Sequence, residues 1–143
     1  MCKIVYVFIA GTALMGLAAG CGNSVGETEA DRVGVGAECT VDPSADPPST
    51  CPVVEMDIQL VCLTQFTGGY CGLQGCGGDV NCPAGSRCVA HTDAKNYCFR
   101  VCQDKPECNR NRSVENEANC SANIDFVDEP QDQKACVPPS SGS

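Results

Sequence analysis

The chain has 143 residues, of which 14 are cysteine, 15 glycine and 9 proline, with no tryptophan and a formal net charge of −9 at pH 7. Nearly one residue in ten is cysteine, which is typical of small exported proteins held together by disulfides and not of cytosolic enzymes. The acidic balance makes nucleic acid an unfavourable partner, because that binding depends on lysine and arginine at the phosphates. The composition therefore favours an exported disulfide scaffold.

Residues 1–20 predict a secretory signal peptide. Lys3 precedes an uncharged run from Ile4 to Gly20, whose last residues are small. The run is short for a helix that spans a membrane, and its second half is only weakly hydrophobic. We therefore expect residues 1–20 to be removed on export.

The segment Leu17-Ala18-Ala19-Gly20-Cys21 resembles the lipobox of bacterial lipoproteins. In that family the cysteine receives a diacylglyceryl group, the signal is cut just before it, and the new amino terminus is acylated, for example with palmitate. The resemblance implies that Cys21 is the first residue of the mature chain and that several acyl chains anchor it to a membrane. Gly22 in place of Asp implies delivery to the outer membrane or cell surface. Ordinary signal cleavage, which would release a free secreted protein, is the alternative.

The cysteine count agrees with a lipid on Cys21. Once Cys2 leaves with the signal and Cys21 is acylated, twelve cysteines remain, an even number that permits six disulfides. The twelve fall into three units of four, and we expect pairing within a unit while the connectivity inside each unit stays open. The units are Cys39, Cys51, Cys62 and Cys71; Cys76, Cys82, Cys88 and Cys98; and Cys102, Cys108, Cys120 and Cys136.

The first two units share more than their cysteines. Pro52 and Pro83 each follow the second cysteine of a unit, and Tyr70 and Tyr97 each precede the fourth. The third unit lacks both features, as expected of a degenerate end repeat. The middle unit, CGGDVNCPAGSRCVAHTDAKNYCFRVC, resembles the cysteine-rich stretches of myxobacterial-type lipoproteins and, more distantly, the amino-terminal cysteine-rich module of dickkopf proteins. These resemblances imply a location and a scaffold, but no catalytic residue.

The predicted fold class is small and disulfide-rich, with short β-hairpins and loops in three four-cysteine units and little helix outside the signal peptide. We expect residues 21–36 to be the lipidated cysteine and a flexible linker, 37–137 the disulfide-rich repeat domain, and 138–143 a disordered tail. Alternating apolar residues predict a strand from Val53 to Leu63, and turn residues predict hairpins at Gly68-Gly69 and at 93–96. Only three phenylalanines and two tyrosines follow the signal, so we expect cross-links to substitute for much of a hydrophobic core.

Few residues in the sequence suggest catalysis or metal binding. No C-x₂-C pair is present, so neither a zinc site nor a thioredoxin-like site is expected, and no cofactor is predicted. His91 is the only histidine, and we interpret it as a solvated turn residue, although Asp93 and Ser86 lie near it in sequence. Four acidic residues could offer oxygen ligands to calcium but lack the spacing of a calcium-binding loop, and we interpret them as a solvated acidic tail: Asp125, Asp128, Glu129 and Asp132.

Charge is distributed unevenly along the mature chain. Residues 87–112 carry a net charge of +3, whereas residues 22–86 carry −8 and residues 113–143 carry −5. The basic segment predicts either a face for an anionic polysaccharide, a lipopolysaccharide phosphate or an acidic protein patch, or internal pairing with the acidic segments. Its candidate anion-binding residues are Arg87, Lys95, Arg100, Lys105, Arg110 and Arg112.

Together these features predict a non-catalytic, exported, lipid-anchored protein of the cell envelope that acts as a surface binding or structural module. The membrane, through the lipid, is its expected partner. The alternative is a freely secreted disulfide-rich inhibitor or small hydrolase.

Overall fold

A computed structural model describes residues 26–53 and 58–141. Within these ranges the chain forms short antiparallel strands joined by loops, with two helices of about one turn, so the predicted small disulfide-rich fold class is confirmed. The strands make three small antiparallel sheets, of two, three and two strands. The elements in chain order are α1 (Glu29–Val33), β1 (Val61–Cys62), β2 (Cys71–Gly72), β3 (Ser86–Ala90), β4 (Asn96–Arg100), α2 (Lys105–Cys108), β5 (Asn119–Ser121), β6 (Asp125–Phe126) and β7 (Ala135–Val137), with 3₁₀ turns at Asp79–Asn81 and Val114–Asn116.

Each four-cysteine unit is built on one antiparallel pair of strands. The third and fourth cysteines of a unit stand directly opposite each other in that pair. The predicted turns are confirmed in the first two units: Gly68 and Gly69 have φ of 71° and 68°, and Ala94 has φ of 61° in the connection from β3 to β4. In the third unit, β6 lies between the paired strands β5 and β7 in sequence and adds to the sheet of the second unit instead.

All twelve cysteines of the three units are in disulfides, and the pairing follows one rule. In every unit the first cysteine bonds to the third and the second to the fourth. The expectation of pairing within a unit is therefore confirmed, and the degenerate third unit obeys the same connectivity as the other two. The bonds are Cys39–Cys62, Cys51–Cys71, Cys76–Cys88, Cys82–Cys98, Cys102–Cys120 and Cys108–Cys136.

Aromatic side chains form the centre of the largest core cluster. Phe66, Tyr70, Tyr97 and Phe99 are at most 1% exposed. Tyr97 and Phe99 stack with ring centroids 5.7 Å apart, and Phe66 makes edge contacts with the other three rings. Phe126 is also buried, at 4% exposed. The few aromatic residues are therefore concentrated in one interior. The two smaller core clusters consist almost entirely of disulfide cysteines, as expected if cross-links substitute for much of a hydrophobic core.

Residues 26–36 are not a flexible linker, and this part of the prediction is wrong. Helix α1 begins with a capping box between Thr28 and Asp31 and ends at Gly34, which has φ of 82°. Ala30 and Val33 are fully buried in the core. The chain therefore enters the folded domain at Thr28.

The carboxyl-terminal tail, as far as it is described, is also ordered against the domain. Pro138 is fully buried, Ser140 forms an isolated β-bridge with Phe66, and the amide of Ser141 donates to the carbonyl of Gln65 at 2.9 Å. The prediction of a disordered tail is therefore wrong for residues 138–141. Backbone hydrogen bonds to the turn after β1 hold it in place.

The strand predicted from Val53 to Leu63 is much shorter in the structure. Only Val61–Cys62 is a strand, and residues 54–57 of the predicted element lie outside the described residues. The alternation of faces does hold near the strand, because Leu60 is 5% exposed while Val61 is 48% exposed.

Candidate functional site

The twelve cysteines bring sulfur atoms close together in each unit. The first three cysteines of every unit have Sγ atoms within 4.8 Å of one another. Every one of these atoms is already bonded to another sulfur, whereas a zinc ligand has to be a thiolate. The sulfur clusters therefore act as cross-links in this oxidised form.

Arg87, the first of the six basic candidates, points into the protein. It is 7% exposed, and its Nε atom donates to the carboxylate of Asp79 at 2.7 Å. Its guanidinium also donates to the carbonyl of Asp128 at 2.7 Å and lies 4.4 Å from the ring centroid of Phe126. These contacts fix the segment after β6 against β3, and the guanidinium is not available to a soluble anion.

Arg112 is a second buried arginine, at 9% exposed. Its guanidinium donates to four backbone carbonyls, those of Gly36, Gly69, Thr67 and Asn116, at 3.3, 2.9, 2.7 and 2.7 Å. Burial lowers the pKa of Arg112, although an arginine stays charged at neutral pH. The side chain joins three separate loops and so has a structural role.

Arg100 and Lys105 are paired with acidic residues. Arg100 contacts the Asp31 carboxylate at 2.5 Å, and Lys105 forms an ion pair with Glu117. Burial raises the pKa of Asp31, but hydrogen bonds from Thr28 and the charge of Arg100 outweigh it and hold that pKa below its ordinary value. Internal pairing with the acidic segments, the second interpretation of the basic segment, describes both residues.

The six basic candidates therefore do not form one anion-binding surface, and that interpretation is corrected. Only Lys95 and Arg110 are exposed and outside any ion pair formed within the described ranges. The sequence showed an excess of positive charge but not the direction of each side chain, which depends on contacts with residues far away in the chain.

His91 is packed and is not the solvated turn residue that we predicted. Its side chain is 11% exposed and makes edge contacts with Phe66, Tyr97 and Phe99, the nearest centroid being 5.4 Å away. Its Nδ1 atom lies 3.1 Å from the carboxylate of Asp93, which also accepts a hydrogen bond from the Tyr97 hydroxyl at 2.7 Å.

The electrostatics of this cluster follow from its burial. Burial and the neighbouring Asp93 carboxylate raise the pKa of Tyr97 to about 12. Burial also acts to raise the pKa of Asp93, but hydrogen bonds from Tyr97, His91 and the Lys95 amide hold that pKa below its ordinary value.

The hydroxyl considered with His91 and Asp93 lies elsewhere. Ser86 is at the opposite end of β3, and its hydroxyl donates to the carbonyl of Pro83 at 2.6 Å. The three residues therefore do not form a charge-relay arrangement. His91 and Asp93 instead contact each other within the turn between β3 and β4, beside the aromatic core.

The acidic carboxyl-terminal residues also have individual roles. Asp128 accepts a hydrogen bond from the Asp79 amide at 2.7 Å, so it supports the contact with Arg87. Asp125, Glu129 and Asp132 are exposed, as predicted for a solvated acidic segment, whereas Asp128 is half-buried.

The sequence analysis missed an apolar groove on the first unit, which we call the unit-1 groove. It has a volume of about 490 Å³ and lies between the loop before Cys51 and strand β1. Three exposed valines line it, Val41, Val53 and Val61, at 46%, 74% and 48% exposed, together with Pro47 and Pro48. The available signal in the sequence is the proline-rich segment between Val41 and Val53.

Cys21 and the signal peptide precede the described residues, so the structure does not include the predicted lipidation site. Within residues 26–53 and 58–141, no helix has the length and apolarity needed to cross a membrane. Comparison of the chain with protein-family models, curated proteins and solved structures found no match. The resemblances to lipoproteins and to the dickkopf module stay predictions.

Proposed function

We propose that this chain is an exported protein of the cell envelope, anchored by a lipid on Cys21, that acts as a non-catalytic binding module. The observation that carries the proposal is the closed set of six disulfides in three units with one connectivity. Disulfides in this number form and persist in oxidising compartments, outside the cytoplasm.

The pairing also supports a separate role for Cys21. The twelve later cysteines bond among themselves, which leaves none of them as a partner for Cys21. A free thiol in an exported protein is reactive, whereas a thioether to a lipid is not. Cys21 directly follows the small residues Ala18, Ala19 and Gly20 of the lipobox-like segment. Acylation of Cys21 therefore accounts both for the even number of remaining cysteines and for the sequence before Cys21.

The corrected domain boundary makes the proposed tether short. The folded domain begins at Thr28, seven residues after Cys21. Seven extended residues span at most about 24 Å, so the domain would be held close to the membrane surface. Such an arrangement suits a module that binds a partner at the envelope.

The exposed chemistry favours binding over catalysis. His91 is enclosed by aromatic rings, and the buried arginines are occupied by carbonyls and carboxylates. The unit-1 groove, by contrast, leaves apolar side chains open to solvent. Contiguous apolar surface beside polar loops is a common feature of interaction sites.

The experiment compares the wild type with Cys21→Ser and with the matched control Cys2→Ser, which lies inside the signal. We expect wild type and Cys2→Ser to fractionate with membranes and to show an intact mass that begins at residue 21 with added acyl groups. Cys21→Ser should lose both properties. A wild-type protein found in the medium and cleaved elsewhere would instead support the freely secreted alternative.

A further inference from the structure

The unit-1 groove has a specific electrostatic setting. From Val33 to Ser86 the sequence contains no lysine, arginine or histidine, although it contains six acidic residues. Two of these acids, Asp42 and Asp46, are exposed on the same loop that supplies Pro47 and Pro48 to the groove. The groove is therefore apolar at its centre and acidic at its rim.

A hydrogen-bonding edge also borders the groove. Strand β1 pairs with β2, and the far side of β2 is occupied because Cys71 exchanges backbone hydrogen bonds with Gly36 and Ala37. Within the described ranges no strand pairs with the other edge of β1, and Val61 of that strand lines the groove. An extended backbone can add to such an edge, while its side chains enter an adjacent apolar site.

We propose that the unit-1 groove binds an extended peptide segment of a partner protein in which apolar residues are flanked by lysine or arginine. The apolar side chains would lie against Val41, Val53 and Val61, and the basic side chains would lie near Asp42 and Asp46. Charge complementarity selects this occupant. A second copy of this acidic chain, or an anionic lipid, would bring negative charge to an acidic rim.

The proposal names a partner for the binding module and rests on the proposed function only for its location outside the cytoplasm. The experiment uses the processed full-length protein in detergent and a fluorescently labelled decapeptide of alternating lysine and valine, followed by fluorescence anisotropy. A glutamate–valine peptide is the charge-reversed probe, and a lysine–serine peptide is the probe without apolar side chains.

We expect saturable binding of the lysine–valine peptide that weakens with added salt, and at least tenfold weaker binding of the other two peptides. Val61→Arg should weaken binding about tenfold, because it replaces an apolar contact with a like charge. Val80→Arg is the matched control, since Val80 is 91% exposed and lies in the second unit. It should leave the affinity unchanged within about twofold. Asp42→Asn with Asp46→Asn should reduce the salt dependence.

Several results would overturn the proposal. The first is that the glutamate–valine and lysine–valine peptides bind equally well, and the second is that Val61→Arg and Val80→Arg change the peptide affinity equally. The third is that the protein prefers anionic phospholipid vesicles and that Val61→Arg abolishes this binding. The fourth is that the protein forms a concentration-dependent dimer and that Val61→Arg dissociates it. The intact mass of the same preparation reports the lipid on Cys21 independently. Failure of the groove proposal and failure of the anchor are therefore separate observations.

Discussion

Arg112 supports the sharpest test of how the fold is held together. Methionine in its place retains an unbranched aliphatic chain but has no guanidinium, so the hydrogen bonds to four carbonyls are lost. The bonds to Gly36 and Gly69 are buried, and those to Thr67 and Asn116 are partly buried. A buried acceptor left unsatisfied costs about 1–3 kcal/mol, and a partly buried one costs less because water can reach it.

These contributions add to an expected loss of about 4 kcal/mol in the free energy of unfolding. The measurement is guanidinium-induced unfolding of the oxidised protein, followed by far-ultraviolet circular dichroism. Arg110→Met is the matched control, because Arg110 is an exposed arginine two residues away, and it should change the free energy by no more than about 0.5 kcal/mol. Arg112→Lys should lie between the two, since one ammonium cannot reach all four carbonyls.

The reasoning would be refuted if Arg112→Met lost less than about 1 kcal/mol, or if Arg110→Met were equally destabilised. Either result would mean that the carbonyls find other donors when the guanidinium is removed. An unfolded Arg112→Met protein, with Arg112→Lys folded and destabilised, would agree with the prediction.

Three further predictions follow from the disulfides and from the shifted pKa values. Non-reducing peptide mapping should recover the six disulfides within units, and a disulfide between units would contradict the structure. Replacing Cys76 and Cys88 together with serine should lower the free energy of unfolding by about 2–4 kcal/mol. Burial raises the pKa of Tyr70 and of Tyr97 to about 12. The stability that the two neutral phenols contribute is present below pH 10 and should be lost as the pH rises from 10 to 12. Titration of the folded protein by ultraviolet absorbance tests this, and a midpoint near pH 10 for phenolate formation would be inconsistent with it. Hydrogen bonds from the amide of Ser113 and the side chain of Asn116 lower the pKa of Glu38 below 4.5. The stability that the ionised Glu38 contributes to the fold is therefore present above pH 4.5 and is lost as the pH falls. Between pH 5 and 2.5 the free energy of unfolding should fall less for Glu38→Gln than for wild type, whereas the control Glu115→Gln should follow wild type. The same pH dependence in Glu38→Gln and wild type would disprove this role of Glu38.

The local features of the fold were predictable from the sequence. Cysteine spacing defined the three units, because each disulfide closes within about 30 residues and every unit contributes four cysteines. Gly68 and Gly69 indicated a hairpin because they supply the left-handed backbone conformation that the turn requires. These signals act over short stretches of chain and are therefore visible in one sequence.

The role of residues 26–36 could not be read from composition. Four glycines and few large apolar residues in residues 22–36 suggested a solvated spacer. The capping box of Thr28 and Asp31, followed by Gly34, was the available signal for a short helix. Whether such a weak helix forms depends on burial of Ala30 and Val33 against distant parts of the chain, which the sequence alone does not report.

The candidate site was harder to predict for the same reason. The directions of Arg87, Arg100 and Arg112 depend on carbonyls and carboxylates supplied by distant parts of the chain. The unit-1 groove depends on how the loop before Cys51 stands relative to β1. Both are products of tertiary packing, and neither leaves a periodic pattern in the sequence.

The alternating connectivity has a consequence for how the protein is made. In the export that we propose, the second cysteine of a unit emerges before the third, so an oxidase acting in order of emergence would first join neighbours such as Cys39 and Cys51. The native bonds join Cys39 to Cys62 and Cys51 to Cys71, which makes that first product incorrect. Maturation therefore requires thiol–disulfide exchange or delayed oxidation in each unit, and a host strain without a disulfide isomerase should accumulate scrambled forms of the protein.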